Sequence, residues 1–214
     1  MGITLTSLFA ALTAAGAFIT IPLYPVAIVL QNFFTLLTGL VLGPLLGGAA
    51  MGLFLVAGAL GAPVFPGTIG GIVRLFGPGG GFILSYPLEA IAAGLIAGSP
   101  RGGDRTPSWR LILAAIVGTV ALYPLGLIRL RAVLQPEALG TLAAKFLAGD
   151  DNLKFIPLSL RAVFRNMDPS WLGTLTAGVF PFIIGDTIKA VAAVLIAPRL
   201  RRVVGDRLDR SDRR

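Results

Sequence analysis

The chain has 214 residues, 55% hydrophobic and only 13% charged, where a soluble domain carries about 25% charged residues. That balance places it in a membrane, and its formal charge of +8 is expected from cytoplasmic arginines, not from nucleic-acid binding. With no His and no Cys it lacks imidazole bases, thiolate nucleophiles and the usual zinc and haem ligands, so no metal or cofactor is expected.

Apolar runs predict about six membrane helices: Ile3–Leu23, Val26–Leu42, Leu45–Leu60, Phe82–Ala97, Arg110–Ile128 and Trp171–Ala197. The expected class is an all-α integral membrane protein. Residues 1–73 carry no charge, and without a basic n-region no cleavable signal is expected. In the first run, Ala10/Ala14 and Ala11/Ala15 form two small-xxx-small pairs that permit close helix packing. Pro22, Pro25, Pro44 and Pro63 punctuate the first three runs, so the second and third are expected to be tilted, broken or partly inserted. Gln31 and Asn32 are adjacent amides that either bond across helices or face a pocket.

The stretch GTIGGIVRLFGPGGG from Gly67 to Gly81 lacks the GxxxxGK[ST] pattern of an ATP site. It reads as a re-entrant or capping loop whose backbone approaches a ligand, with Gly70 and Gly71 as candidate contacts. Arg74 at its centre either pairs a ligand carboxylate or faces solvent. Phe82 opens the fourth run as a candidate pocket wall, and Glu89 inside that run is an unexpected carboxylate. Between Arg129 and Ser170, apolar positions such as Val133, Leu134, Leu139, Leu142, Phe146 and Leu147 recur at roughly helical spacing, and 158–164 looks similar. One or two amphipathic helices at the outer interface are expected there, with a lid or partner-binding role as the alternative.

Arginines set the orientation. Arg101, Arg105 and Arg110, with seven more after Ala197, oppose seven cations on the other side, so both termini are expected in the cytoplasm. The layout is a membrane domain over 1–198 and a basic cytoplasmic tail over 199–214. The last run holds Asp186 and Lys189, three residues apart and therefore on one helical face. A charge in mid-membrane costs roughly 2.5–3.5 kcal/mol and usually marks a site. Two readings stand: an ion pair that locks helices, or a ligand site in which Asp186 accepts N–H donors and Lys189 donates to an oxygen.

Four blocks carry a resemblance: PVAIVLQNFFTLLTGLVLGPLLG (25–47), GALGAPVFPGTIGGIVRLFGPGGGF (58–82), the fourth run, and GVFPFIIGDTIKAVAAVLIAP (178–198). In order and spacing they resemble BioY proteins, the biotin-specific S-components of energy-coupling factor (ECF) transporters. The resemblance implies a six-helix S-component bundle in the cell membrane that binds biotin from outside and hands it inward. It implies that Asp186 and Lys189 contact biotin and that Gly67–Gly81 closes over it. It also implies that Ala10, Ala11, Ala14 and Ala15 dock on the transmembrane coupling subunit, with separate ATPase subunits supplying energy.

The chain departs from the family pattern at Gly79-Gly80-Gly81-Phe82, where Thr-Gly-Gly-Tyr is common, at Glu89, usually apolar, and in the length of 129–170. Another small carboxylated vitamin such as lipoate therefore stays open as the ligand. Outside transport, a membrane scaffold stays open too. An enzyme is not expected, because no Ser–His or Cys–His pairing and no His-bearing metal motif is present.

Overall fold

The computed structural model describes residues 1–21, 26–103, 105–134, 174–175 and 178–212. Among these, six helices form the bundle: α1 (Gly2–Ala15), α2 (Gln31–Ala59), α3 (Gly80–Leu84), α4 (Tyr86–Ala97), α5 (Ser108–Leu134) and α6 (Phe180–Asp212). A short antiparallel ribbon, β1 (Thr20–Ile21) with β2 (Ile28–Val29), sits between α1 and α2 and sets Thr20 opposite Val29.

The first expected span is too long. Its helix ends in a 3-10 turn over Gly16–Phe18, and the β-branched Thr20 and Ile21 pair as strand instead. The second span, expected from Val26, begins at Gln31 for the same reason, since Ile28 and Val29 are taken by β2.

The second and third expected spans are two limbs of α2, 31–42 and 44–59, joined at Gly43 (φ 78°, ψ −175°) and followed by Pro44. A straight helix would separate Gly39 from Gly47 by about 12 Å. Here a Cβ on Gly47 would lie 3.3 Å from the Gly39 Cα, so the chain turns back sharply. The turn suits glycine because φ is positive, where a side chain is strained. Close packing of α4 depends on the same region, since a Cβ on Gly39 would stand 2.4 Å from the Ala90 carbonyl oxygen. Gly39→Val is expected to cost roughly 1–3 kcal/mol by overpacking this seam, read as a lower melting temperature of the detergent-solubilised protein.

α3 and α4 run almost continuously through Ser85, matching the fourth expected span. α5 starts near the expected place but runs six residues beyond Ile128, to Leu134. Leu130 and Val133 are buried, so the apolar spacing read as the start of an outer connection is instead the last turns of this helix. The rest of that connection, including Leu139, Leu142, Phe146, Leu147 and 158–164, lies outside the described residues, as do residues 171–173 at the start of the last expected span.

α6 passes through Pro198 without stopping, so the division between membrane domain and basic tail at 198/199 falls inside one helix. The extension is docked. Gly102 N–H donates to Asp209 Oδ2 (2.9 Å) and Gly103 N–H to Asp206 Oδ1 (3.0 Å), bringing the two arginine-rich regions to one end of the bundle. Arg201 is 1% exposed and donates to the carbonyls of Leu40, Ala97 (3.2 Å) and Gly98 (3.0 Å). Those carbonyls lie at the C-terminal ends of limb 31–42 and of α4, where a cation is favoured by the helix dipole.

The core is apolar and tightly filled, with Leu40, Val41, Met51, Phe54, Phe65 and Leu111 at 2% exposure or less. The outer faces are apolar too: Ile3, Leu45 and Leu60 are each more than 80% exposed, and Ile184 and Leu195 more than 70%. So many exposed large apolar side chains are unusual for a water-soluble monomer. Among the described residues three helices are long and apolar enough to cross a membrane by length along the chain and composition, namely Ser108–Val133, Phe180–Arg210 and Gln31–Ala59, the last counted through its turn at Gly43. The length and apolar character of these helices mark a membrane protein.

Candidate functional site

Asp186 lies on α6 with its carboxylate turned into the bundle, 5% exposed. Its Oδ1 accepts from Asn32 Nδ2 and from Lys189 Nζ, both at 3.1 Å, and its Oδ2 accepts from the Tyr123 hydroxyl at 2.7 Å. One carboxylate thus gathers the first turn of α2, the middle of α5 and its own helix. Charge-assisted bonds of this kind are roughly twice as strong as neutral ones, which fixes the oxygens in space.

The carboxylate forms one wall of a cleft. Val29, Ile83, Tyr86, Leu122 and Phe182 supply apolar wall, and Phe82 stands edge-on to Tyr123 with ring centroids 6.2 Å apart. Phe82 fits there because Gly126 on α5 leaves room for its ring; a Cβ at 126 would come 2.4 Å from it. Pro66, Arg74, Gly77, Pro78, Gly79 and Gly80 bring the glycine-rich segment over the opening. Arg129 on α5 pins that segment by donating to the Phe76 carbonyl, with its guanidinium carbon 5.7 Å from the Phe76 ring centroid. Arg74 donates to the Pro66 carbonyl (3.2 Å), which leaves an exposed cation at the rim.

Four of the residues expected from the sequence therefore meet at or beside this cleft: Asp186, Lys189, Arg74 and Phe82. Lys189 stands behind Asp186, outside the main cleft, and its place is set by their ion pair. Three others do not line it. Gln31 is fully buried on another face of α2, where Nε2 donates to the carbonyls of Thr13 (3.2 Å) and Val64 (2.7 Å). Gly70 packs on the backbone of Gly61 and Ala62, and Gly71 N–H bonds the Gly58 carbonyl at 2.7 Å. These glycines anchor the loop to the end of α2; Gly77, Gly79 and Gly80 are the ones facing the cleft.

The four alanines of α1 also divide. Ala10 is buried and Ala14 packs against the core, while Ala11 and Ala15 are exposed.

Tyr123, Tyr86 and Phe182 had no sequence signal beyond being aromatic in apolar runs. Asn32, expected either to bond across helices or to face a pocket, does both: it donates to Asp186 on α6 and lines the cleft. Chemically the cleft offers a fixed anion for N–H donors, apolar and aromatic walls for a compact ring system, and a cation at the mouth. That combination suits a small, mostly apolar molecule with a urea- or amide-like head and an acidic tail.

Comparison with known proteins agrees with this architecture. Residues 1–206 match the model of the BioY family. A protein of Pyrococcus horikoshii named probable biotin transporter BioY is 35% identical over 93% of this chain and 95% of its own. The biotin transporter BioY of Thermotoga maritima is 33% identical over 94% of this chain and 95% of its own. A solved structure described as the S-component for biotin from an ECF-type ABC transporter superposes with a TM-score of 0.66, covering 94% of this chain and 90% of that one. Its identity of 24% speaks for the fold. With the family match spanning nearly the whole sequence and these relatives aligned over almost their full length, the chain belongs to the BioY family.

Proposed function

We propose that this protein captures biotin at the Asp186 cleft as the substrate-specific subunit of an ECF-type transporter. It is a substrate-binding transport component and not an enzyme, in keeping with its family. The observation that carries the ligand assignment is the Asp186 carboxylate, held by Asn32, Tyr123 and Lys189 against an apolar cleft. Biotin's ureido ring presents two N–H donors to such an anion, and its carbonyl takes an N–H or O–H donor of the same cluster. The bicyclic head fits against Phe82, Tyr86 and Phe182, and the valerate carboxylate reaches Arg74 at the mouth.

In this reading the exposed Ala11/Ala15 stripe is the part of α1 that meets the coupling subunit, while separate ATPase subunits supply energy. The shared end of Arg101, Arg105 and the α6 extension faces the cytoplasm with both termini, and the cleft faces outward.

Competition against labelled biotin on the detergent-solubilised protein tests the ligand. Desthiobiotin keeps the ureido ring and is expected to compete. Lipoate has the acid tail without that ring and is expected to be at least about 100-fold weaker, because a buried acceptor left unpaired rejects the analogue. Equal displacement by lipoate would mean that the tail is read and the ring is not.

A further inference from the structure

Glu89 lies in the middle of α4, is 1% exposed, and its Oε2 has no hydrogen-bond partner among the described residues. It lines a small cavity together with Asn32, Thr119, Asp186 and Lys189, adjoining the cleft that Arg74 and Phe82 line. Asn32 Oδ1 is a second buried acceptor without a partner among those residues. The cavity is thus rich in acceptors, and the cation in its wall is Lys189, whose ammonium carries three donors.

Asp186 is crowded. Its oxygens already accept from Asn32, Lys189 and Tyr123, which leaves about one of their roughly four lone-pair sites open, so a ligand that presents two donors from the cleft displaces at least one of them. Asn32 and Tyr123 line the cleft and can turn toward the arriving molecule. Lys189 does not line it, and a buried ammonium that loses its anion is costly. The other carboxylate lining its cavity is Glu89.

We propose that Glu89 is a positioning residue: it receives the Lys189 ammonium when a ligand donor takes the place of Lys189 on Asp186. The exchange keeps the cation paired in both states, so the site binds without stranding a charge. The identity of the arriving donor rests on the biotin reading; the hand-over between the two carboxylates does not.

A ligand-free thermal cycle tests the hand-over. In wild type, Lys189 has Asp186, and Glu89→Gln is expected to shift the melting temperature little. In Asp186→Asn, Lys189 depends on Glu89. The double variant Glu89→Gln/Asp186→Asn is then expected to melt about 5 °C below the sum of the single effects. Adding Lys189→Met to the double variant is expected to restore stability, including where the double variant itself fails to fold. Additive single effects, or no rescue by Lys189→Met, would overturn the proposal.

Biotin affinity is the second arm. Glu89→Gln is expected to weaken it about tenfold in wild type and to leave it unchanged in a Lys189→Met background. The same loss in both backgrounds would overturn the positioning role. Should wild type bind no biotin, the ligand reading fails, while the thermal cycle still decides the hand-over.

Discussion

Asp186→Asn is expected to lower biotin affinity by about 100-fold or more while the protein stays folded. The carboxylate is the shared acceptor for Asn32, Tyr123 and Lys189, and an amide replaces one of its two acceptor oxygens with an NH2 group. A ligand N–H then meets a donor where it had an anion. Hydrogen bonds to charged groups contribute roughly 1.5–3 kcal/mol each, so losing one acceptor outright and the charge behind the other corresponds to about 100-fold or more in Kd. Equilibrium binding and a thermal melt on one preparation separate the possibilities. If the ion pair only locks helices, the single variant loses stability instead of ligand, and Asp186→Leu/Lys189→Met regains it.

The second large effect is expected at Arg201. Arg201→Leu removes the donor shared by the carbonyls of Leu40, Ala97 and Gly98, in a place sealed from water. Each buried carbonyl left unpaired costs roughly 1–3 kcal/mol. A total of about 3 kcal/mol corresponds to a melting temperature lower by about 10 °C for a chain of this size. Arg201→Lys keeps the charge but not the fork that reaches several carbonyls, and is expected to fall between. An unchanged melting temperature in Arg201→Leu would show that the guanidinium is not what joins α6 to limb 31–42 and α4.

What the sequence disclosed follows from what is rare in a membrane. Long apolar runs placed α4, α5 and most of α6, since runs of that length have few other uses. Asp186 and Lys189 stood out because ionised groups in such runs are costly. Arg201 escaped notice for the opposite reason: among seven arginines after Ala197 it looks like one more cytoplasmic charge, and only the fold buries it.

Neighbours in sequence parted company where helix geometry rotates them. Gln31 and Asn32 differ by about 100° around α2, so one ties α1 to the loop and the other reaches Asp186. The same rotation turns Ala10 and Ala14 inward and Ala11 and Ala15 outward. Tyr123 could not be picked out at all. Its contact with Asp186 spans 63 residues, and a tyrosine within an apolar helix carries no charge to betray it. In the glycine-rich segment, composition marked the loop but not its faces: Gly70 and Gly71 hold the chain down, while Gly77, Gly79 and Gly80 look into the cleft.

The most direct measurement is equilibrium dialysis of labelled biotin against the purified, detergent-solubilised wild-type protein. The account predicts saturable binding of one biotin per chain, with the label displaced by unlabelled biotin. A well-folded sample that shows no saturable binding would contradict it, leaving the BioY fold in place and the Asp186 cleft without the ligand assigned to it.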